Sequence, residues 1–358
     1  MTLLDSVNNI LIKNTLSFKD RKHLYVKFRQ YLRKEKDIFN VLNSMILVYT
    51  RRGKKPNDAI AKILTDCIMQ MSAGVSLCNS LKEWIPPEEL SVIQAYEIQN
   101  CPDVGFDKAI DLVNRNTRVK KSIRKCGFIL TYTMFSSFAI VALICAFMVP
   151  EIVKTIPLEK WNFLQLSVYY YYYIVTNCYV YLVVFLVFII YIHRRLKSRL
   201  TGTLRYYMDK WWPPFVLYRW MVGATFVANV EALLSAGIEI KPALELLKGT
   251  SDSNWLNERI DAALFGMASG EKNLGTALDS SGYDFPSEEA IVMMSAIFET
   301  SNKENALADF SEEWSESIVE TVEVWSAVLE IISMLISAIS VVSTVIIMFS
   351  LISKIFNF

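Results

Sequence analysis

The chain is 358 residues long, 53% hydrophobic and 20% charged, with a formal net charge of +1. Its apolar share exceeds the roughly 45–50% of an ordinary soluble domain, so part of it is expected in lipid and part in water. The near-zero total gives no electrostatic case for a nucleic-acid partner, and 12 glycines supply no glycine-rich loop to cradle a nucleotide's phosphates.

The distribution of charge says more than the total. Residues 1–125 carry 22 Lys/Arg against 13 Asp/Glu, whereas residues 220–330 carry 5 against 20. Opposite balances of this kind predict that the two regions touch, within one chain or between two.

The first twenty residues, MTLLDSVNNILIKNTLSFKD, lack a charged n-region, a long apolar core and a small-residue cleavage site. Residues 1–20 are therefore expected to be an uncleaved amphipathic segment on the cytoplasmic side. Residues 21–125 form a first cytoplasmic helical-bundle domain, with apolar residues at helical spacing between short turns. Within it RRGKKPNDAIAKIL (51–64) breaks at Gly53 and restarts at Ala59 and Ile60. GVSLCNSL (74–81) opens on Gly74, and IPPEELSVIQAYE (85–97) follows.

Three apolar runs have the length of about twenty residues that a bilayer demands. The first span is 126–149, GFILTYTMFSSFAIVALICAFMV at its core, with Pro150 expected to stop it. A short periplasmic loop, 150–166, carries only Lys154 and Lys160, offset by Glu151 and Glu159. The second span lies in 167–192, where the tyrosines of 169–173 and nearby Trp161 suit an interfacial aromatic belt and 174–192 suffices for one crossing. Thr176 and Asn177 there are placed to bond across helices. A basic juxtamembrane connector, 193–219, opens with HRRLKSR, which matches RVKKSIRK (118–125) before the first span. Basic flanks mark the cytoplasmic side, so both soluble regions and the N-terminus face the cytoplasm.

Residues 220–329 read as a second cytoplasmic bundle. Phe226, Val230, Leu233 and Leu234 recur at helical spacing, and Gly237 is expected in the left-handed position just past the helix end. Pro242 fits the first turn of the next helix. GEKNLGTAL (270–278) begins on Gly270, and FPSEEAIVMMSAIFE (285–299) contains Pro286, then Ser287 as a candidate N-cap before Glu288 and Glu289. A helix over 305–330 leads into the third span, 330–354, and residues 355–358 form a periplasmic tail. The order of features matches between the halves, so one module is doubled, with Gly53 paired to Gly237 and Gly74 to Gly270.

LLSAGIEIKPALELL, the 270–278 element and FPSEEAIVMMSAIFE resemble the repeated domain of the type II secretion system F and type IV pilus assembly inner-membrane platform family. The order of domain, span, loop, span, domain, span is similar over residues 21–355. The family's Glu-x-Ser-Gly-x-Leu motif is missing: the equivalent places read EIQNCPDVGF (97–106) and ETSNKENALADF (299–310). That points to a divergent member of the bundle-forming or conjugative thin-pilus kind. The resemblance implies an all-α polytopic protein of the bacterial inner membrane that sits above a hexameric cytoplasmic ATPase. Its implied partners are pilin subunits, other inner-membrane assembly proteins, the lipid bilayer and further copies of itself.

No catalytic, cofactor or metal site is expected. The two histidines, His23 and His193, lie in basic flanks, and the cysteines (67, 78, 101, 126, 145, 178) contain no CxxC pair. The most suggestive constellation is acidic. Glu313, Glu316, Glu320, Glu323 and Glu330 share one helical face running toward the membrane. Glu320, Glu323 and Glu330 are the candidate partner contacts, Glu330 above all, because a carboxylate at the edge of a span is costly unless paired. A small transporter or channel subunit with cytoplasmic regulatory domains is the alternative, disfavoured by the lack of charged or helix-breaking residues at the middle of the spans.

Overall fold

A computed structural model describes residues 16–355. Most of the expected 1–20 segment and the last three residues of the expected tail lie outside them. The described residues are helical throughout, with no strand, and form two compact units: residues up to 120 together with 197–318, and residues 121–196 together with 319 onward.

The first unit contains both bundles. The first bundle is built from α1 (Phe18–Leu32), α2 (Ile38–Tyr49), α3 (Ala59–Ser72), α4 (Leu77–Leu81), α5 (Pro87–Ile98) and the opening of α6 (Pro102–Thr155). Side-chain caps start these helices: Ser17 accepts from the Asp20 amide, Asp37 from Phe39, and Asp58 from Ile60 and Ala61. Each satisfies a backbone donor that the first turn leaves without a partner. Leu24, Tyr25, Phe28, Leu42, Met45 and Ile63 are fully buried, and Phe28 stacks on Phe106 with centroids 4.5 Å apart.

The second membrane-spanning segment and connector supply α7 (Phe163–Asn177), α8 (Tyr179–Arg199) and α9 (Thr203–Trp211). The second bundle then runs α10 (Pro213–Ser235), α11 (Ile240–Thr250), α12 (Asn254–Ala268), α13 (Leu274–Ser280), α14 (Glu288–Glu299) and α15 (Lys303–Ile355). Ser253, Asn273 and Ser287 cap α12, α13 and α14. At the end of α10 the amide of Gly237 donates to Leu234 and that of Ile238 to Leu233. This closure needs a left-handed residue, and Gly237 provides it at φ +70. The next helix begins two residues ahead of Pro242, whose missing N–H falls in the unpaired first turn.

Element order corrects the pairing of the repeats. Gly74 ends α3 and Gly270 ends α12 with the same backbone closure, so α3 corresponds to α12. One helix separates Gly53 from Gly74, but two separate Gly237 from Gly270. Gly53 therefore has its counterpart in the α11–α12 turn, not in Gly237. Nor does it cap α2: the left-handed closure there is made by Arg51 and Arg52, at φ +51 and +56, with Arg52 donating to Leu47. A glycine flanked by basic residues marked a turn without marking its register.

The second unit holds the most apolar segments. Among the described residues three helices are long and apolar enough to cross a membrane, within Pro102–Thr155, Tyr179–Arg199 and Lys303–Lys354. Two local expectations fail there. Pro150 does not stop the first of them, which continues to Thr155. A proline costs the helix one backbone hydrogen bond, but the extra turn buries Ile152 and Ile156 against Cys145, Trp161, Met348 and Leu351, and packing of this kind outweighs intrinsic propensity. The helix after the loop instead breaks at Cys178. Asn177 donates to Thr176 and Thr176 to the Tyr172 carbonyl, so this polar pair bonds locally and not across helices. Trp161 is likewise buried, edge-on to Tyr169. Tyr170 and Tyr173 face outward, while Tyr171 donates to the Phe138 carbonyl of α6 at 2.9 Å.

Candidate functional site

The two bundles meet along the amino-terminal half of α6. Lys108 Nζ lies 3.0 Å from Glu231 Oε1 of α10, and Glu231 also accepts from Ser235. Thr225 donates to Asn116 at 2.9 Å, and Arg115 Nη1 donates to Ser311 of α15 at 2.9 Å. Arg118 reaches Glu316 at 3.2 Å. The basic-against-acidic patterning thus becomes a contact inside one chain. Its members are unequal. Glu231 is buried, so its bridge is shielded from solvent, whereas Arg118 and Glu316 are each more than half exposed.

This contact uses one member of the acidic track. Glu316 is spent on Arg118, Glu313, Glu320 and Glu323 are exposed, and Glu330 is half-buried. Among the described residues no ion pair engages Glu320, Glu323 or Glu330. The apolar stripe beside them is buried from Leu307 through Phe310, Trp314 and Ile318. Pro286 packs on Gly223, where an added Cβ would sit 2.8 Å from the proline ring. Gly53 lines an open groove on the first bundle with Pro56, Lys62 and Trp84.

A cavity of about 240 Å³ opens beside the bundle contact. Pro87, Glu88 and Lys120 line it from the first bundle, and Thr225 and Asn229 from the second. Asn229 is 2% exposed and its amide oxygen has no partner.

Sequence reasoning missed two buried charge networks. In the first bundle Glu89 takes two hydrogen bonds from Arg21, both 3.1 Å, and one from the Tyr25 hydroxyl at 2.5 Å. Burial pushes the Glu89 carboxyl above its ordinary value, against the pull of Arg21. In the second bundle Asp209 of α9 accepts from Arg259 at 3.0 Å and from the Trp255 indole at 2.8 Å. Arg205, wholly buried, places its guanidinium 4.3 Å from the centre of the Phe215 ring. The Arg259 guanidinium lies 4.0 Å from Trp255 and 4.8 Å from Tyr283, and burial lowers its pKa to about 10. The available signal was the pairing of Arg205 and Asp209 four residues apart on a helix whose remaining face is aromatic.

Burial also pushes the Cys67 thiol up to about 11, and Cys78 higher still. These thiols are protonated at neutral pH and act as packing groups.

Residues 226–351 match the family model described as type II secretion system (T2SS), protein F. No curated protein matches the chain. The match covers the second bundle from Phe226 and continues into the third apolar span.

Proposed function

Because residues 226–351 match the family model for type II secretion system protein F, we propose that this chain is the inner-membrane platform of a type IV pilus or related type II secretion machine. In this reading both bundles face the bacterial cytoplasm and the C-terminus reaches the periplasm, an orientation that the basic flanks of the spans support. A hexameric ATPase below supplies the work, the bundles receive it, and the spans deliver it to pilin subunits entering or leaving the fibre base. The platform itself needs no catalytic residue. It works as a homo-oligomer among other inner-membrane assembly proteins, and Glu320, Glu323 and Glu330 offer the docking carboxylates.

The observation carrying this reading is the family match, which takes in the second bundle and the third span together. The test is purification of the full chain from native membranes in mild detergent. Retention of a hexameric pilus or secretion ATPase, with loss of piliation or secretion on deletion, is the expected result. A deletion strain with normal fibres and normal secretion overturns it. For the docking carboxylates, Glu330→Gln is expected to impair fibre assembly at unchanged protein level; normal assembly removes that role.

A further inference from the structure

Helix α9 is turned inside out. Its charged residues Arg205 and Asp209 are 0% and 3% exposed, whereas Leu204, Tyr207 and Trp211 are 64%, 64% and 79% exposed, with Trp212 beside them at 58%. Positions 204, 207 and 211 follow the three-and-four spacing of one helical face, and 205 and 209 lie on the opposite one. The helix cannot roll to hide its rings. Asp209 is fixed by Arg259 and the Trp255 indole, and Arg205 is seated against Phe215. An aromatic face held outward in this way has to meet something other than water.

We propose that this face of α9 lies in the headgroup layer of the bilayer, as an interfacial anchor at the foot of the second span. Position close after a membrane-crossing helix, together with composition, selects lipid over a protein partner: two tryptophans and a tyrosine are side chains that settle where apolar tails meet polar headgroups. Exposed Lys210 at its edge, and exposed Arg194, Arg195 and Arg199 just upstream, suit anionic headgroups. The chain itself limits the distance. Past Ile192, where the apolar run ends, α8 continues for two helical turns to Arg199, about 10 Å, and the four residues from there to Thr203 reach at most about 14 Å. Seated there, α9 holds the buried Arg–Asp–Arg network of the second bundle directly behind a lipid-bound surface. The inference rests on the chain being a membrane protein and stands whether or not it is a secretion platform.

The test uses the full chain in nanodiscs of phosphatidylcholine containing phosphatidylglycerol. The protein has eight tryptophans, so emission of the native chain minus that of a Trp211→Phe/Trp212→Phe double variant isolates the two of interest. Lipids brominated high on the acyl chain are expected to remove most of this difference emission, and aqueous iodide to leave it. Difference emission that survives bromine, whether or not iodide quenches it, overturns the proposal, since water or a protein partner then covers the face. Leu204→Trp in the native chain is a second probe that leaves the buried network alone. Its added emission must also be lost to bromine, and retention of that emission overturns the proposal independently of how the double variant folds.

Discussion

The two bundles share an order of helices but handle buried charge in opposite ways. In the first, Glu89 faces one guanidinium and one phenol, so charges balance and every hydrogen bond is made. In the second, buried Asp209 stands between two guanidiniums, the less buried Glu258 takes a second bond from Arg259 at 3.1 Å, and aromatic faces pack on both cations. Arg205 Nε comes within 2.9 Å of Asp209 Oδ1, yet neither atom completes a hydrogen bond. Charge and ring contact hold Arg205, each cation–ring contact contributing about 0.5–2 kcal/mol. One repeated scaffold thus tolerates either a matched pair or a ring-lined cluster, and in the latter one buried carboxylate serves two cations.

The largest expected effect follows from that sharing. Asp209→Asn leaves buried Arg205 without a paired carboxylate and Arg259 with Glu258 alone, and removing one partner of a buried network costs about 3–5 kcal/mol. Glu89→Gln keeps a side chain that bonds Tyr25 and strands only one partly exposed guanidinium, so its cost is nearer 1–3 kcal/mol. Denaturation of the two variants purified in detergent checks the order. A larger loss for Glu89→Gln would reverse the contrast between the bundles.

Acidity separates the networks a second way. Glu89 titrates above the ordinary carboxylate value when folded, so its contribution is fully present below that ordinary value and is lost as pH rises through the folded one. Stability of the native chain relative to Glu89→Gln should therefore grow as pH falls from the folded value toward the ordinary one. Arg259 is depressed to about 10. Its contribution is present above the unfolded arginine value and is lost as pH falls through about 10, so it adds no slope between pH 5 and 8. Titrating stability of the native chain against each variant measures both, and a native-minus-Gln curve that is flat or rises with pH would contradict the Glu89 assignment.

Packing between the short helix and its successor differs too. Aligning Leu77 with Leu274 puts Cys78 of α4 where α13 has Gly275. The Cys78 thiol is buried and donates to the Leu90 carbonyl at 3.3 Å. At Gly275 an added Cβ would stand 2.3 Å from the Ser295 amide nitrogen and 2.5 Å from its Cα. Backbone cannot retreat as a side chain can, so Gly275→Ala should cost about 1–3 kcal/mol by overpacking. Cys78→Ala, which removes one buried atom, should cost roughly 1 kcal/mol. Thermal midpoints in detergent decide whether the second bundle is the more closely packed at this joint.

Helix content and the three apolar spans were legible because both rest on periodicity and composition. So were the cap at Ser287 and the turn at Gly237, which use residue types that local backbone chemistry demands. What escaped was decided at a distance. RRGKKP announces a turn, but only the number of helices before Gly74 reveals its register. For Arg205, Asp209 and Arg259 it is the fold that brings Trp255 and Phe215 around them. The helix past Pro150 and the burial of Trp161 both come from contacts with residues near 350, which no local pattern announces.

The smallest effects lie at the seam between the bundles. Lys108→Ala would leave Glu231, 4% exposed, with only Ser235 as a partner, a loss of about 1–3 kcal/mol. Arg118→Ala removes a bridge whose partners are 66% and 59% exposed. Such pairs contribute about 0–1 kcal/mol, and screening reduces that further at physiological salt. Stability measured for both variants at low and high salt sharpens the distinction: the Lys108 deficit should persist and the Arg118 deficit should fade. Equal, salt-sensitive deficits would mean that the bundles are held together by surface charge along the whole seam, and that the buried carboxylate of Glu231 confers no special hold.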